Sequence, residues 1–235
     1  MRNQVLVIIP AFNEEKNIEQ VILEAKRLNG LVDYLVVNDC STDNTEQILR
    51  EKNIPHISLP INLGIGGAVQ AGYRYAHNNG YDVAIQLDGD GQHDSRYLSV
   101  MIEEIEEGAD VVIGSRYLEK KGFQSSVLRR IGIRLLSEVI WLCTGKRIKD
   151  VTSGFRAINR RYIELYSKDY PQDYPEPEAI VYAAVKGGII KEIPVVMRER
   201  KNGKTSIGGV WKAAYYMIKV TLAIFLCRAS VKRGG

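Results

Sequence analysis

The sequence predicts an α/β protein: a doubly wound, mostly parallel sheet, with amphipathic helices in its C-terminal part. Three observations predict it. Short apolar runs alternate with helical patterns from Gln4 to Ile113. Polar residues gather directly after those runs: Asn13 and Glu15 after the first, Asp39 after the second, Asp88 and Asp90 after the fourth. In such sheets ligands bind beyond the carboxyl ends of the strands. The length, 235 residues, suits one domain with an ample core.

The elements follow in order. "QVLVII", Gln4–Ile9, is a continuous apolar run stopped by Pro10, as expected of a strand buried on both faces. Asn13 is placed to cap a helix carrying Ile18, Val21, Ile22 and Ala25 on one face, with Glu14 and Glu15 in its first turn. Tyr34–Val37 is the second strand, ending at Asn38 and Asp39; Ser41 or Thr42 caps the helix after it. Ile54–Leu59 is the third strand, and the bend "NLGIGG" leads into a helix over Ala68–His77. Asp82–Leu87 is the fourth strand, residues 97–107 form a helix, and Asp110–Ile113 is a further strand. Residues 127–145 read as a helix with an apolar side (Leu128, Ile131, Leu135, Val139, Leu142) and a basic one (Arg130, Arg134). That pattern suits a helix lying on an anionic membrane, or a core helix whose arginines reach to water. "DVTSGFRAINR", 150–160, is a tight polar stretch closing on Phe155. "YPQDYPEPEA", 170–179, with three prolines, reads as an ordered irregular loop. Ile189–Arg198 is the last strand, 198–209 a basic loop, and a helix runs from Val210 to about Ser230. Its apolar part, 213–226, is shorter than the roughly 20 residues of a spanning helix.

Composition excludes several classes. No signal-peptide pattern opens the chain, since Val5–Ile9 is too short. Three cysteines, Cys40, Cys143 and Cys227, form no C-x-x-C, which argues against disulfides and structural zinc and fits a reducing cytosol. The formal charge is only +4, but residues 116–161 hold twelve basic side chains against Glu119, Glu138 and Asp150. Such asymmetry points to an anionic partner (phosphate, membrane surface or nucleic acid) or to a solvated basic face.

"AIQLDGDGQHD", 84–94, carries the chemistry. Two carboxylates one residue apart repel unless a cation lies between them, and Asp oxygens suit Mg2+ or Mn2+. An Asp-Gly turn alone explains the pattern too, but the polar residues converging on the same sheet end favour the cation. His93 stands open between contact with metal or phosphate and a supporting or exposed place. "GIGGAVQAG" lacks the third glycine of a dinucleotide loop, Val69 standing there.

"VIIPAFNEE", "VVNDCSTDNT", "NLGIGGAVQAGYRYA", "QLDGDGQHD" and "GSRY" occur in the order found in family-2 glycosyltransferases, which the chain resembles along nearly its whole length. "TSGFR", "YPEPE" and "RERKNGKTSI" resemble the branch that transfers sugars to polyprenyl phosphate, the dolichyl-phosphate mannosyltransferase-like group. The resemblance implies a GT-A fold, a nucleotide-sugar donor, Mg2+ or Mn2+, and inversion at the anomeric carbon. It implies that Pro10, Ala11, Asn13 and Glu15 line the nucleoside pocket and that Asp39 meets the base. It places Asp88, Asp90 and Gln92 at the metal and diphosphate, and Arg116 facing the reaction. Asn38 and Cys40 depart from the usual "DDGS", which bears on base selectivity, and Ser95 stands where Pro often follows "HD".

An acceptor that is already an anionic phosphate needs cations rather than a general base. Arg116, Arg130, Arg198 and Arg200 are the acceptor-binding candidates, and Asp90, Arg116 and Arg200 the catalytic ones. The implied donor is UDP-glucose or UDP-N-acetylglucosamine and the acceptor undecaprenyl phosphate. A glycan hydroxyl acceptor with Glu178 as base, and a non-catalytic sugar-nucleotide or membrane-binding module, are the alternatives. Residues 1–209, including helix 127–145 and loop 198–209, would form the catalytic domain; 210–235 would lie near the membrane or against a partner. Arg130, Arg134, Lys212 and Lys219 would meet lipid head groups, placing the protein on the cytoplasmic face of the cell membrane. A small membrane protein or a second copy is a further partner; nucleic acid is not.

Overall fold

The computed structural model describes residues 3–26, 30–119, 127–198 and 210–231. Its centre is β1 (Val5–Ala11), buried along its whole length. Alternate residues of β1 serve opposite layers. Leu6 and Ile8 enter one core cluster, and Val5, Val7 and Ile9 the other. That two-sided burial is why the strand reads as an unbroken apolar run.

β1 pairs in parallel with β2 (Asp33–Asn38) and β4 (Val83–Gln86), and β2 pairs in parallel with β3 (His56–Ser58). The crossovers are α1 (Ile18–Lys26), α2 (Thr45–Glu51) and α3 (Gly64–Asn78). α4 (Tyr97–Glu106) leads to β5 (Val111–Ser115). β6 (Arg156–Asn159) then enters antiparallel between β4 and β5, and β7 (Ile190–Pro194) closes the edge parallel to β5. The seven-stranded order is β3-β2-β1-β4-β6-β5-β7. The mixed but mostly parallel sheet agrees with the expectation. β6 was not expected: it lies inside 150–160, which reads as a tight polar stretch closing on Phe155. It is only four residues long, and its first residue is an arginine.

α6 (Arg160–Lys168) follows at once, capped by the Asn159 side chain, which accepts from the Tyr162 amide at 3.1 Å. α7 (Pro175–Val185) begins within the stretch expected to be irregular. Pro175 occupies its first turn, where a missing N–H costs nothing and a fixed φ helps. Only the part before Pro175 is loop.

α5 (Val127–Thr144) and α8 (Val210–Ser230) lie against each other and against α7. Arg228 Nε donates to the Cys143 carbonyl at 2.9 Å, joining their ends. The core face of α5 is Ile133, Leu136 and Ile140, and that of α8 is Val220 and Ile224. The stripe read from the sequence on α5 contains Ile131, Leu135 and Leu142, and these point outward. On α8, Ile218, Leu222, Phe225 and Leu226 are exposed as well. Both helices are therefore apolar on two sides. Among the described residues no helix is long and apolar enough to cross a membrane.

Arg156 ties these parts together. It is 3% exposed at the start of β6. Its Nε donates to the Ser153 carbonyl (2.7 Å), Nη1 to the Glu176 carbonyl (2.7 Å) and Nη2 to the Val151 carbonyl (3.4 Å). One planar fork thus fixes the 151–154 loop and the start of α7. Leucine at this position would strand buried carbonyls, each costing about 1–3 kcal/mol. Urea unfolding of Arg156→Leu should show a loss of at least about 3 kcal/mol. An unchanged midpoint would contradict this account.

Candidate active site

At the end of β4 the chain makes a tight turn through Asp88, Gly89 and Asp90. Gly89 passes so near β1 that a Cβ there would lie 2.9 Å from the Pro10 carbonyl oxygen. Asp88 is held from both sides: Gln86 Nε2 donates to Oδ1 at 3.0 Å, and His93 Nε2 lies 3.0 Å from Oδ2. Burial alone would push the Asp88 carboxyl up. The His93 hydrogen bond and charge, with Gln86 and Arg116, outweigh it and hold Asp88 below the usual carboxylate range. Asp90 accepts the Gln92 amide through Oδ1 at 3.0 Å, closing an Asx turn with Gly91 at φ +76°. The Gln92 side chain donates to the Arg198 carbonyl, and the Arg198 amide donates back to the Gln92 carbonyl at 2.9 Å.

Among the described residues no three His, Cys, Asp or Glu side chains converge as a metal cage. A pair of hard carboxylates is the donor set that Mg2+ or Mn2+ uses when substrate phosphates complete its shell. Asp88 and Asp90 fit that ion.

The loops after β1 and β2 are stitched together. Asn13, at φ 57°, accepts the Thr42 amide at 2.8 Å through Oδ1, and its own amide donates to Ser41 Oγ at 3.0 Å. Glu15 Oε2 accepts from the Asn44 amide (3.1 Å) and Nδ2 (2.9 Å). These contacts explain two misplaced helix starts. Asn13 spends its oxygen across the loops, and α1 begins only at Ile18. α2 begins at Thr45, whose amide donates to Asp43 Oδ1 at 2.9 Å, so neither Ser41 nor Thr42 caps it. Asp39, buried, accepts the Leu63 amide (2.7 Å) and the Gly64 amide (2.9 Å), one on each oxygen. It anchors the start of α3. Pro10 and Ala11 end β1 beside it, the Ala11 carbonyl accepting the Asp39 amide at 2.9 Å. The structure therefore gathers Pro10, Ala11, Asn13, Glu15 and Asp39 on one side of the D-x-D turn.

On the other side Arg116 forks onto Asp150: Nε to Oδ2 and Nη2 to Oδ1, both 2.6 Å, with Nη2 also reaching Thr152 Oγ1 at 2.9 Å. Burial disfavours the guanidinium charge, but Asp150 more than offsets this, and the same charge acts on Asp88. Arg130 stands half-buried near the start of α5. The Arg198 guanidinium meets Glu24 at 2.5 Å and Asp94 at 3.4 Å. Arg200, the rest of its loop through residue 209, and the side chains of Leu128 and Lys212 lie outside the described residues.

Sequence reasoning missed Glu176. It sits in the first turn of α7; burial raises its carboxyl, and it interacts with Arg156, Asp88 and Arg116. The signal was a helix start: Pro175 at the first position marks where α7 begins and so puts Glu176 in its first turn. Glu178, weighed as a base from the sequence, instead has Asp173 as its charged neighbour.

A profile of the family described as glycosyl transferase family 2 matches residues 6–166. A UDP-N-acetylglucosamine–dolichyl-phosphate N-acetylglucosaminyltransferase of Methanococcus voltae is 29% identical over 212 residues, 81% of this chain and 84% of that one. An undecaprenyl-phosphate mannosyltransferase of Micrococcus luteus is 30% identical over 218 residues, 88% of each chain. Among solved structures, glucosyl-3-phosphoglycerate synthase from Mycobacterium tuberculosis in complex with uridine diphosphate superposes with a TM-score of 0.75 at 20% identity, over 97% of this chain and 80% of that one. Another structure of that enzyme holds Mn2+, uridine diphosphate and phosphoglyceric acid.

Asp39→Ala should remove the anchor of α3 and cost about 1–2 kcal/mol, the usual price of a lost N-terminal cap. Thermal unfolding without any ligand reads this. A variant as stable as the wild type would leave Asp39 with no structural part.

Proposed function

The chain belongs to glycosyl transferase family 2, and from that premise we propose that it transfers a sugar from a nucleotide-sugar to a polyprenyl phosphate. It is a glycosyltransferase with a GT-A fold. The donor we infer is UDP-glucose or UDP-N-acetylglucosamine, and the acceptor undecaprenyl phosphate. The observation that carries the proposal is the anchored carboxylate pair Asp88 and Asp90 at the carboxyl end of β4, facing loops that can enclose a nucleotide. Relatives named for transfer to dolichyl and undecaprenyl phosphates support the acceptor class. Their names give different sugars, so the donor is the finer part of the proposal.

In the reaction the bond from the anomeric carbon to the donor phosphate breaks, and the electron pair leaves with the nucleoside diphosphate. An oxygen of the acceptor phosphate forms the new bond from the opposite face. A divalent cation at Asp88 and Asp90, with Gln92 beside them, would neutralise the charge gathering on the leaving diphosphate. Pro10, Ala11, Asn13, Glu15 and Asp39 would hold the nucleoside. The acceptor oxygen is already anionic, so no proton has to be removed. Arg116 is pinned by Asp150, so its direction is set before substrate arrives. With Arg130, and with Arg200 beyond the described residues, it would hold the acceptor phosphate.

A lipid acceptor has to be met at a surface. The outward residues of α5 and α8, with Arg134 and Lys219 exposed among them, suit the cytoplasmic face of an anionic membrane. Each basic residue there would contribute about 1 kcal/mol.

Two measurements test these proposals. The first is a panel of UDP- and GDP-sugars with undecaprenyl phosphate, with and without Mg2+ or Mn2+. It should give a lipid-linked product only with metal, and none from Asp90→Asn. Full turnover in excess chelator, or by Asp90→Asn, would remove the metal from the mechanism. The second is flotation with liposomes. Binding should fall with salt, with loss of anionic lipid, and in the double variant Leu135→Gln/Leu222→Gln. Equal binding to neutral vesicles would refute the charged contact.

A further inference from the structure

The proposed chemistry gives no part to His93. Its side chain is 1% exposed. The ring packs on Phe155, centroids 4.8 Å apart and planes tilted by 36°. Nε2 lies 3.0 Å from Asp88 Oδ2, whereas Nδ1 is buried with no hydrogen-bond partner among the described residues. Asp88 can only accept as a carboxylate, so the hydrogen of this bond belongs on Nε2. A buried polar ring normally has both nitrogens matched. Here Nδ1 has no partner among the described residues, and Nε2 is turned to the carboxylate.

The surroundings leave Asp88 little freedom. Gln86 holds the opposite oxygen, and Gly154 lies so close that a Cβ there would be 2.9 Å from Oδ2. We infer that His93 is a positioning residue: seated on Phe155, it fixes the carboxylate plane of Asp88 for a divalent cation and the donor diphosphate. The inference rests on the proposed metal role of the D-x-D pair. It adds that the affinity of that pair is set by a side chain which does not itself touch the ion or the sugar. Groups that orient a metal-binding side chain from behind typically change metal affinity by about 10–100-fold.

The test uses the whole protein, with Mn2+ and UDP as probes. Bound Mn2+ is read from loss of the aqueous Mn2+ electron-spin resonance signal, beside steady-state kinetics and thermal unfolding. His93→Ala should bind Mn2+–UDP about 10–100-fold more weakly, with a raised donor KM and little change in acceptor KM. His93→Gln, whose amide N–H can replace Nε2–H, should recover most of that loss. A mere packing role would not distinguish the two variants in this way. Should His93→Ala not fold, His93→Met, which fills the space without a donor, takes its place. Folded His93→Ala with wild-type Mn2+–UDP binding overturns the inference alone, as does His93→Gln no better than His93→Ala. Wild-type protein that binds no Mn2+–UDP overturns both this inference and the metal role beneath it.

Discussion

Three carbonyls converge on one buried guanidinium, and the rest of the site depends on that convergence. Arg156 belongs to β6, the strand that runs against its neighbours in the middle of the sheet. Its fork gathers the carbonyls of Val151, Ser153 and Glu176. The first two place Gly154 over Asp88; the third places the first turn of α7, and with it Glu176, beside the same carboxylate. A cation that binds backbone oxygens rather than an acid keeps its field available to the groups around it. Tyr73, Tyr170 and Glu176 all feel it.

Charge is arranged by opposed clasps on either side of the D-x-D turn. Arg116 is drawn back by Asp150, and Arg198 is drawn aside by Glu24 and Asp94. The two arginines look alike in the sequence and differ in the fold. Arg116 has its direction set and acts on Asp88. The backbone of Arg198 carries a further contact, a reciprocal pair of hydrogen bonds with Gln92. Residue 198, beyond β7, is therefore tied to the D-x-D turn itself.

The sheet was legible wherever pattern and burial agree locally. β1, β2, β4 and β5 are apolar runs with polar ends, so the strand ends and the D-x-D pair could be read directly. β6 and α7 were not legible, because each is decided by a distant partner. Nothing near Arg156 in sequence says that its charge will be buried against carbonyls, and three prolines read as a loop until one is seen to start a helix. α5 was found, but its outward stripe was read as its main face, because a helix apolar on two sides offers no single answer to a periodicity argument. Asn13 was assigned to a cap and instead bridges two loops, a choice made by tertiary contacts. Glu176 and Glu178 could be ranked only once the start of α7 was known.

Gly154 keeps an ordinary backbone conformation, so folding does not require glycine there. What requires it is space: any side chain would press on Gln86 and Asp88. Drift to alanine at this position would leave strands, helices and the D-x-D letters in place while displacing the one carboxylate the loop covers. A relative with an intact D-x-D pair and a bulkier residue here would keep the scaffold with that carboxylate displaced.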